Sequence, residues 1–218
     1  MIANRRIFDS GAALAEALAL DVASWLLEVI HEKSSAVIAV SGGSTPKAFF
    51  NLLSTQKLDW SKVTITLVDE RTVPEDNPRS NARLIRDHLW RNEAATAQFV
   101  PLYLNPFIGR IAPFDVAILG MGNDGHTASF FPGGDHLAKA IDSTNVDAVI
   151  TMNAPSAGEP RLTFTLQRLL AAKHLCLHIQ GQDKMQVLEK ALAGPDQMEM
   201  PVRAVLHSAK PLDLYWCP

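Results

Sequence analysis

The chain is poor in cysteine, with two thiols, Cys176 and Cys217, in 218 residues. Two such residues make neither a disulfide framework nor a paired CxxC metal site, so a reducing compartment and two buried thiols are expected. A dominant charge is missing as well. Twenty Lys and Arg stand against 23 Asp and Glu, for a formal net charge of -3. The two signs are mixed along the chain, and no basic stripe answers a duplex phosphate backbone, so no nucleic-acid partner is expected. No uncharged apolar run approaches the ~18–20 residues of a membrane span, so a soluble protein with no membrane partner is expected. Arg5 and Arg6 before an Ala- and Leu-rich run resemble the start of a signal peptide, but Glu16 and Asp21 interrupt it. The expectation is a mature, cytoplasmic N-terminus. There is no internal repeat and no low-complexity tract.

The composition, 47% hydrophobic, is enough for one substantial core, and a single domain over residues 1–218 is expected. Only the Pro- and Gly-bearing stretch Asn153–Pro160 suggests a boundary. Leu14, Leu18, Val22, Trp25, Leu26 and Val29 recur at helical steps after Asp9 and Ser10, which predicts an amphipathic helix with an N-cap. Ala36–Val40 reads as a strand, followed by a glycine turn and a helix with Pro46 at its first position, where the missing N–H costs nothing. Val63–Val68 reads as a second strand, DERTVPEDNPR as a loop, and Ser80 as the cap of a helix to about Trp90. Strands follow at Phe114–Leu119, near Val146–Met152 and at His174–Ile179. RLTFTLQRLLAA is mixed, Asp183–Leu192 is helical, and closing strands lie near Arg203–His207 and Leu212–Trp216. Strands alternating with helices predict an α/β fold: three layers, α/β/α, with a mostly parallel Rossmann-like sheet and helices on both faces.

In such a fold the loops leaving the carboxyl ends of the strands converge on one crevice. Three polar loops, beginning at residues 41, 69 and 120, occupy that place. In SGGSTPK, the backbone at Ser41, Gly42, Gly43, Ser44 and Thr45 can approach an anion closely, with a helix N-terminus behind it. The guest this suggests is a phosphate, although a plain strand-to-helix turn has the same composition. The spacing fits neither Walker A nor the dinucleotide fingerprint. In the second loop Asp69 and Glu70 are adjacent on a strand and point to opposite faces, which argues against a carboxylate dyad; one faces the crevice while the other caps or pairs. Arg71 reads either as a planar donor to a phosphate or sugar hydroxyl or as a solvated charge.

The third loop, GMGNDGHTASFFPGG, puts Gly122, Asp124, Gly125 and His126 together. Asp124 can accept from one ring nitrogen of His126 while the other faces the crevice, the arrangement of a general base with its orienting acid. A structural histidine in a turn is the alternative. A zinc site is not supported there, nor at His174, Cys176 and His178, which share one strand face without a fourth ligand. Those three are expected to be satisfied, half-buried positions.

SGGSTP, DER with the following VP and SN, GMGNDGHTASFFPG, PRLTFT and GQDK, in this order and over nearly the whole chain, resemble the 6-phosphogluconolactonases. The glucosamine-6-phosphate deaminases of the same superfamily are similar but typically have DEY or DEW in place of Asp69-Glu70-Arg71. They also have DGHIAFNEP in place of DGHTASFFP. Phe130 stands where lactonases commonly have Leu, a change expected to affect packing only. The resemblance implies a small phosphosugar lactone as substrate, with its phosphate on Ser41–Thr45 helped by Arg71, Arg161 and Lys184. The last two are carried over from PRLTFT and GxxK. It implies His126 as the base that activates water, oriented by Asp124, with Asp69, Glu70, Gly122 and Gly125 in support. It implies neither a metal nor a nucleotide cofactor. A deaminase, or a non-catalytic sugar-phosphate sensor, remains the alternative. The sequence leaves monomer or homodimer open.

Overall fold

A computed structural model describes residues 1–218. In chain order the elements are β1 (Ile2–Ile7), α1 (Gly11–Lys33), β2 (Ala36–Val40), α2 (Lys47–Leu53), β3 (Val63–Leu67), β4 (Asp69–Arg71), α3 (Asn81–His88), β5 (Gln98–Val100) and β6 (Val116–Leu119). They continue with α4 (Leu137–Ala140), β7 (Val149–Met152), β8 (Arg161–Phe164), α5 (Leu166–Leu170), β9 (His174–Gln180), α6 (Gln182–Ala193), α7 (Val202–Leu206) and β10 (Leu212–Cys217). Seven strands form one parallel sheet in the order β1-β10-β9-β6-β2-β3-β5. Three more form a small antiparallel sheet, β4-β8-β7. The architecture is the expected three-layer α/β fold. β2, AVIAV, is buried at every position, as a parallel strand covered on both faces has to be.

α1 forms where the periodicity places it. Ser10 caps it by accepting from Ala13 N–H at 3.2 Å, a contribution of about 1 kcal/mol. Leu14, Leu18, Val22, Leu26 and Val29 are each at most 1% exposed, so the predicted stripe is the buried one. Trp25 stacks on His174 with ring centroids 4.5 Å apart. No helix is long and apolar enough to cross a membrane. Both cysteines are free and buried.

Two readings need correction, one is resolved into its parts, and one strand has no counterpart among them. DER is not a loop but β4, paired with β8 in the small sheet; three residues give no period to read. RLTFT and LQRLL are separate elements, β8 and α5. The N-terminal IANRRI is a strand at the sheet edge, and its mostly exposed pattern hides it. Its partner β10 lies at the other end of the chain. Residues Arg203–His207 are not a strand: α7 occupies Val202–Leu206, with every residue buried. Val and Leu next to one another gave a β-like composition, but tertiary contacts decide this segment. Arg203, 2% exposed, donates Nε–H to Ala191 O at 3.0 Å and Nη2–H to Lys190 O at 3.1 Å at the end of α6. Its Nη1 reaches Asp196 O at 2.8 Å and the Glu199 carboxylate at 2.6 Å.

α7 matters beyond its own stability, because Val202 N–H donates to Gly125 O at 2.8 Å and so props the loop that carries His126. Arg203→Leu would leave several acceptors unpaired and is expected to cost about 2–4 kcal/mol. Urea unfolding checks this: a midpoint equal to that of the unmodified protein would show that the guanidinium is not what holds α6 and α7 together.

Candidate active site

Strand order reverses between β2 and β6, the position at which open parallel sheets bind ligands. The two turns leaving these strands are fastened to one another: Ser41 N–H and Ser41 Oγ–H both donate to Ile118 O, at 3.0 and 2.9 Å. They border a cleft of about 350 Å³, within the size range of small-ligand sites. Ser41 to Thr45, Asp69, Arg71, Gly122, His126, Arg161 and Lys184 all line it. Three of the candidates do not: Glu70 and Gly125 are buried away from its surface, and Asp124 is exposed beside it.

The first wall is the glycine turn. The N–H groups of Gly42, Gly43, Ser44 and Thr45 donate to no protein acceptor. Gly43, at φ +96°, turns the chain there. A β-carbon on Gly42 would lie 1.9 Å from Asn81 Oδ1, so the turn and the start of α3 can meet only at a glycine. Asn81 is itself fixed, donating Nδ2–H to Asp69 O at 3.0 Å.

β4 settles which acidic residue faces the site. Glu70, 1% exposed, turns away and caps α3, accepting from Asn81 N–H at 2.8 Å, Ala82 N–H at 2.7 Å and Ser80 Oγ–H at 3.1 Å. Burial raises its pKa against the lowering effect of these donors. Asp69, 6% exposed, is on the cleft side and accepts from Ser129 Oγ–H at 2.6 Å.

Arg71 and Arg161 are directly opposed on the antiparallel pair β4-β8, where two cations repel. Glu159 makes the pairing tolerable. Its carboxylate is 3.4 Å from Arg71 Nε, 2.9 Å from Arg79 Nη1 and 3.9 Å from Arg161 Nη2. Arg161, 8% exposed, donates Nη2–H to Ala157 O at 2.7 Å and keeps Nε unpaired. Burial lowers its pKa, partly offset by Asp69. Sequence reasoning missed Glu159, because a carboxylate in a proline- and glycine-bearing loop has no local signature. The same loop brings Ser156 to the cleft.

His126 Nδ1 lies 2.5 Å from Asp124 Oδ1, and His126 N–H donates to the same oxygen at 3.1 Å. Burial raises the Asp124 pKa, but the bonds from His126 outweigh it and hold the carboxyl at about 2. Asp124 is therefore an acceptor at neutral pH. Nδ1 of a neutral ring must carry the hydrogen, and the lone pair is on Nε2. Gly122 permits this, since a β-carbon there would be 2.1 Å from Nδ1. Phe131 covers the imidazole with centroids 4.3 Å apart, and Arg161 lies over the same phenyl ring at 5.4 Å. Ala128, at φ +49°, lines the cleft beside them.

The end of β9 and the start of α6 complete the lining, with His178, Gln180 and Lys184. His174, Cys176 and His178 are buried or half-buried, but the expectation that they are satisfied fails: Nε2 of both histidines has no partner.

The sequence matches the family described as glucosamine-6-phosphate isomerases/6-phosphogluconolactonase over residues 9–216. It is 54% identical to a protein of Rhizobium meliloti (strain 1021) named 6-phosphogluconolactonase, over 100% of both chains. A protein of the same name from Mesorhizobium japonicum is 45% identical, over 99% of this chain and 95% of that one. A crystal structure of a 6-phosphogluconolactonase from Shewanella baltica OS155 superposes with a TM-score of 0.94 at 38% identity, covering 99% of this chain and 97% of that one. The chain belongs to the glucosamine-6-phosphate isomerase/6-phosphogluconolactonase family.

Proposed function

We propose that the protein hydrolyses 6-phospho-D-glucono-1,5-lactone to 6-phosphogluconate, a step of the oxidative pentose phosphate pathway. The relatives' names support the reaction, and one observation carries the mechanism: a carboxylate-held imidazole with Nε2 free, on a cleft that also holds a turn with unpaired N–H groups. The phosphate sits on the turn from Ser41 to Thr45, with Lys184, Arg71 and Arg161 as its cations. The lactone carbonyl then lies toward His126.

Nε2 of His126 takes a proton from water as the water oxygen bonds to the carbonyl carbon. The tetrahedral intermediate collapses, the bond from that carbon to the ring oxygen breaks, and the proton on Nε2 passes to the departing oxygen. Asp124 holds the tautomer and stabilises the imidazolium that forms between these steps. An activated ester needs no covalent nucleophile, so positioning and one base suffice. Phe131, which packs on the imidazole, stands at the sequence position where the deaminase pattern DGHIAFNEP has its acid. With both thiols free, the enzyme works in a reducing compartment, the cytoplasm.

Replacing His126 with Ala is expected to lower kcat by ~10²–10⁴, measured on freshly generated lactone above its spontaneous hydrolysis. A variant with near-normal turnover would remove His126 from the role of base. Glucosamine 6-phosphate is the control substrate, and ammonia release from it would move the chain to the deaminase class.

The pH dependence follows from the pair. The depressed Asp124 pKa keeps that carboxylate ionised at all pH values above about 2. Whatever stability the carboxylate adds is present above the ordinary Asp range and is lost only as pH falls toward 2. Protonated imidazole cannot accept the water's proton, so activity is expected to fall as pH falls. A kcat that does not fall on the acid side would contradict this assignment. Asp124→Asn, which loses the fixed tautomer, is expected to reduce kcat at least ~10-fold with little change in KM.

A further inference from the structure

The chemistry above makes no use of Asp69. Its side chain lines the cleft and is 6% exposed, and its two oxygens have different surroundings. Oδ2 accepts from Ser129 Oγ–H at 2.6 Å, a charge-assisted bond that fixes the carboxylate. Oδ1 accepts from no protein group, yet it is not enclosed as Nε of Arg161 and Nε2 of His178 are. An unpaired oxygen that is still reachable, on a side chain of the cleft lining, is open to whatever enters the cleft. Neither neighbouring guanidinium takes it, since Arg71 and Arg161 pair with Glu159 instead. A carboxylate with a single hydrogen bond and so little solvent is costly. Asn or Ser would accept the bond from Ser129 without that cost.

The place of Asp69 between the two turns gives the missing partner a chemistry. On one side Asn81 donates Nδ2–H to Asp69 O at 3.0 Å, and Asn81 Oδ1 abuts Gly42 of the anion turn. On the other side Ser129, which holds Oδ2, lies three residues beyond His126 in the same loop. A ligand with its anion on the turn and its carbonyl at His126 therefore presents its middle to Asp69. A carboxylate oxygen accepts and cannot donate, and its charge repels a phosphoryl group. The group it takes is an O–H. We propose that Asp69 is a substrate-contacting, specificity-determining residue whose Oδ1 accepts from a hydroxyl on the carbons between the phosphate and the carbonyl of the ligand. This rests on the proposed function for the ligand being a phosphosugar. The same charge keeps the phosphate at the turn, so one side chain both selects a polyol and sets which way round it lies.

The test compares the protein with D69A, titrating inorganic phosphate and sorbitol 6-phosphate by calorimetry. Sorbitol 6-phosphate has the hydroxyls but neither a carboxylate nor a reactive carbonyl, so the ratio of the two affinities isolates what the hydroxyls contribute. In D69A sorbitol 6-phosphate should lose at least about tenfold relative to inorganic phosphate, the worth of one hydrogen bond to a charged acceptor. Inorganic phosphate itself should bind as before or more tightly, because a negative charge has gone and the turn is intact. If D69A does not fold, D69S, which leaves a hydroxyl to meet Ser129 and draws the acceptor back from the ligand, is held to the same criterion. An unchanged ratio, or an equal loss of both ligands, as a merely structural role would give, overturns the proposal. So does an unmodified protein that binds sorbitol 6-phosphate no more tightly than inorganic phosphate. Binding is read without turnover, so absence of lactonase activity would refute the proposed function and leave this result standing, while a failure here leaves the role of His126 untouched.

Discussion

Ile118 O accepts two hydrogen bonds from Ser41, one from the backbone and one from the hydroxyl. Through that carbonyl the turn after β2 and the turn after β6 are held side by side at the reversal of strand order. Each turn is ordinary by itself. Side by side, one offers unpaired N–H groups and the other offers an imidazole, and the distance between the two is set by the spacing of two neighbouring strands. The rest of the molecule keeps the two turns from moving: Asn81 presses on Gly42 from the start of α3, and α7 holds Gly125 from behind.

The site concentrates buried charge, which is stable only where each charge has partners. Three solutions coexist here. Glu70 is absorbed as a helix cap, Arg161 and Arg71 share Glu159, and Asp69 is steadied by Ser129 while it faces the cleft. Adjacent residues Asp69 and Glu70 divide between structure and site because β4 sends successive side chains to opposite faces. The whole arrangement depends on the small β4-β8-β7 sheet, which brings the arginine of PRLTFT opposite the arginine of DER.

Much of this was legible in the sequence, for identifiable reasons. The helix α1, the strands β2 and β6, and the pairing of Asp124 with His126 depend on local spacing, and local spacing is what a sequence displays. The assignment of Arg161 and Lys184 came from resemblance, since no pattern distinguishes them from surface charges; both line the cleft. What could not be read depends on distant partners. β1 is recognisable only through β10, α7 only through the carbonyls and carboxylate that Arg203 clamps, and Glu159 only through arginines on two other segments. The unpaired nitrogen of His178 belongs to the same class, because satisfaction of a polar group is a property of its neighbours and not of its own position in the chain.

The proposed reaction depends on the orientation of the ligand in the cleft: phosphate on the turn from Gly42 to Thr45, reacting carbon toward His126. A crystal structure with 6-phosphogluconate bound tests this most directly. It should show the phosphate accepting from the N–H groups of that turn and the newly formed carboxylate within hydrogen-bond reach of His126 Nε2. A phosphate lodged beside His126, with the carboxylate on the glycine turn, would contradict it.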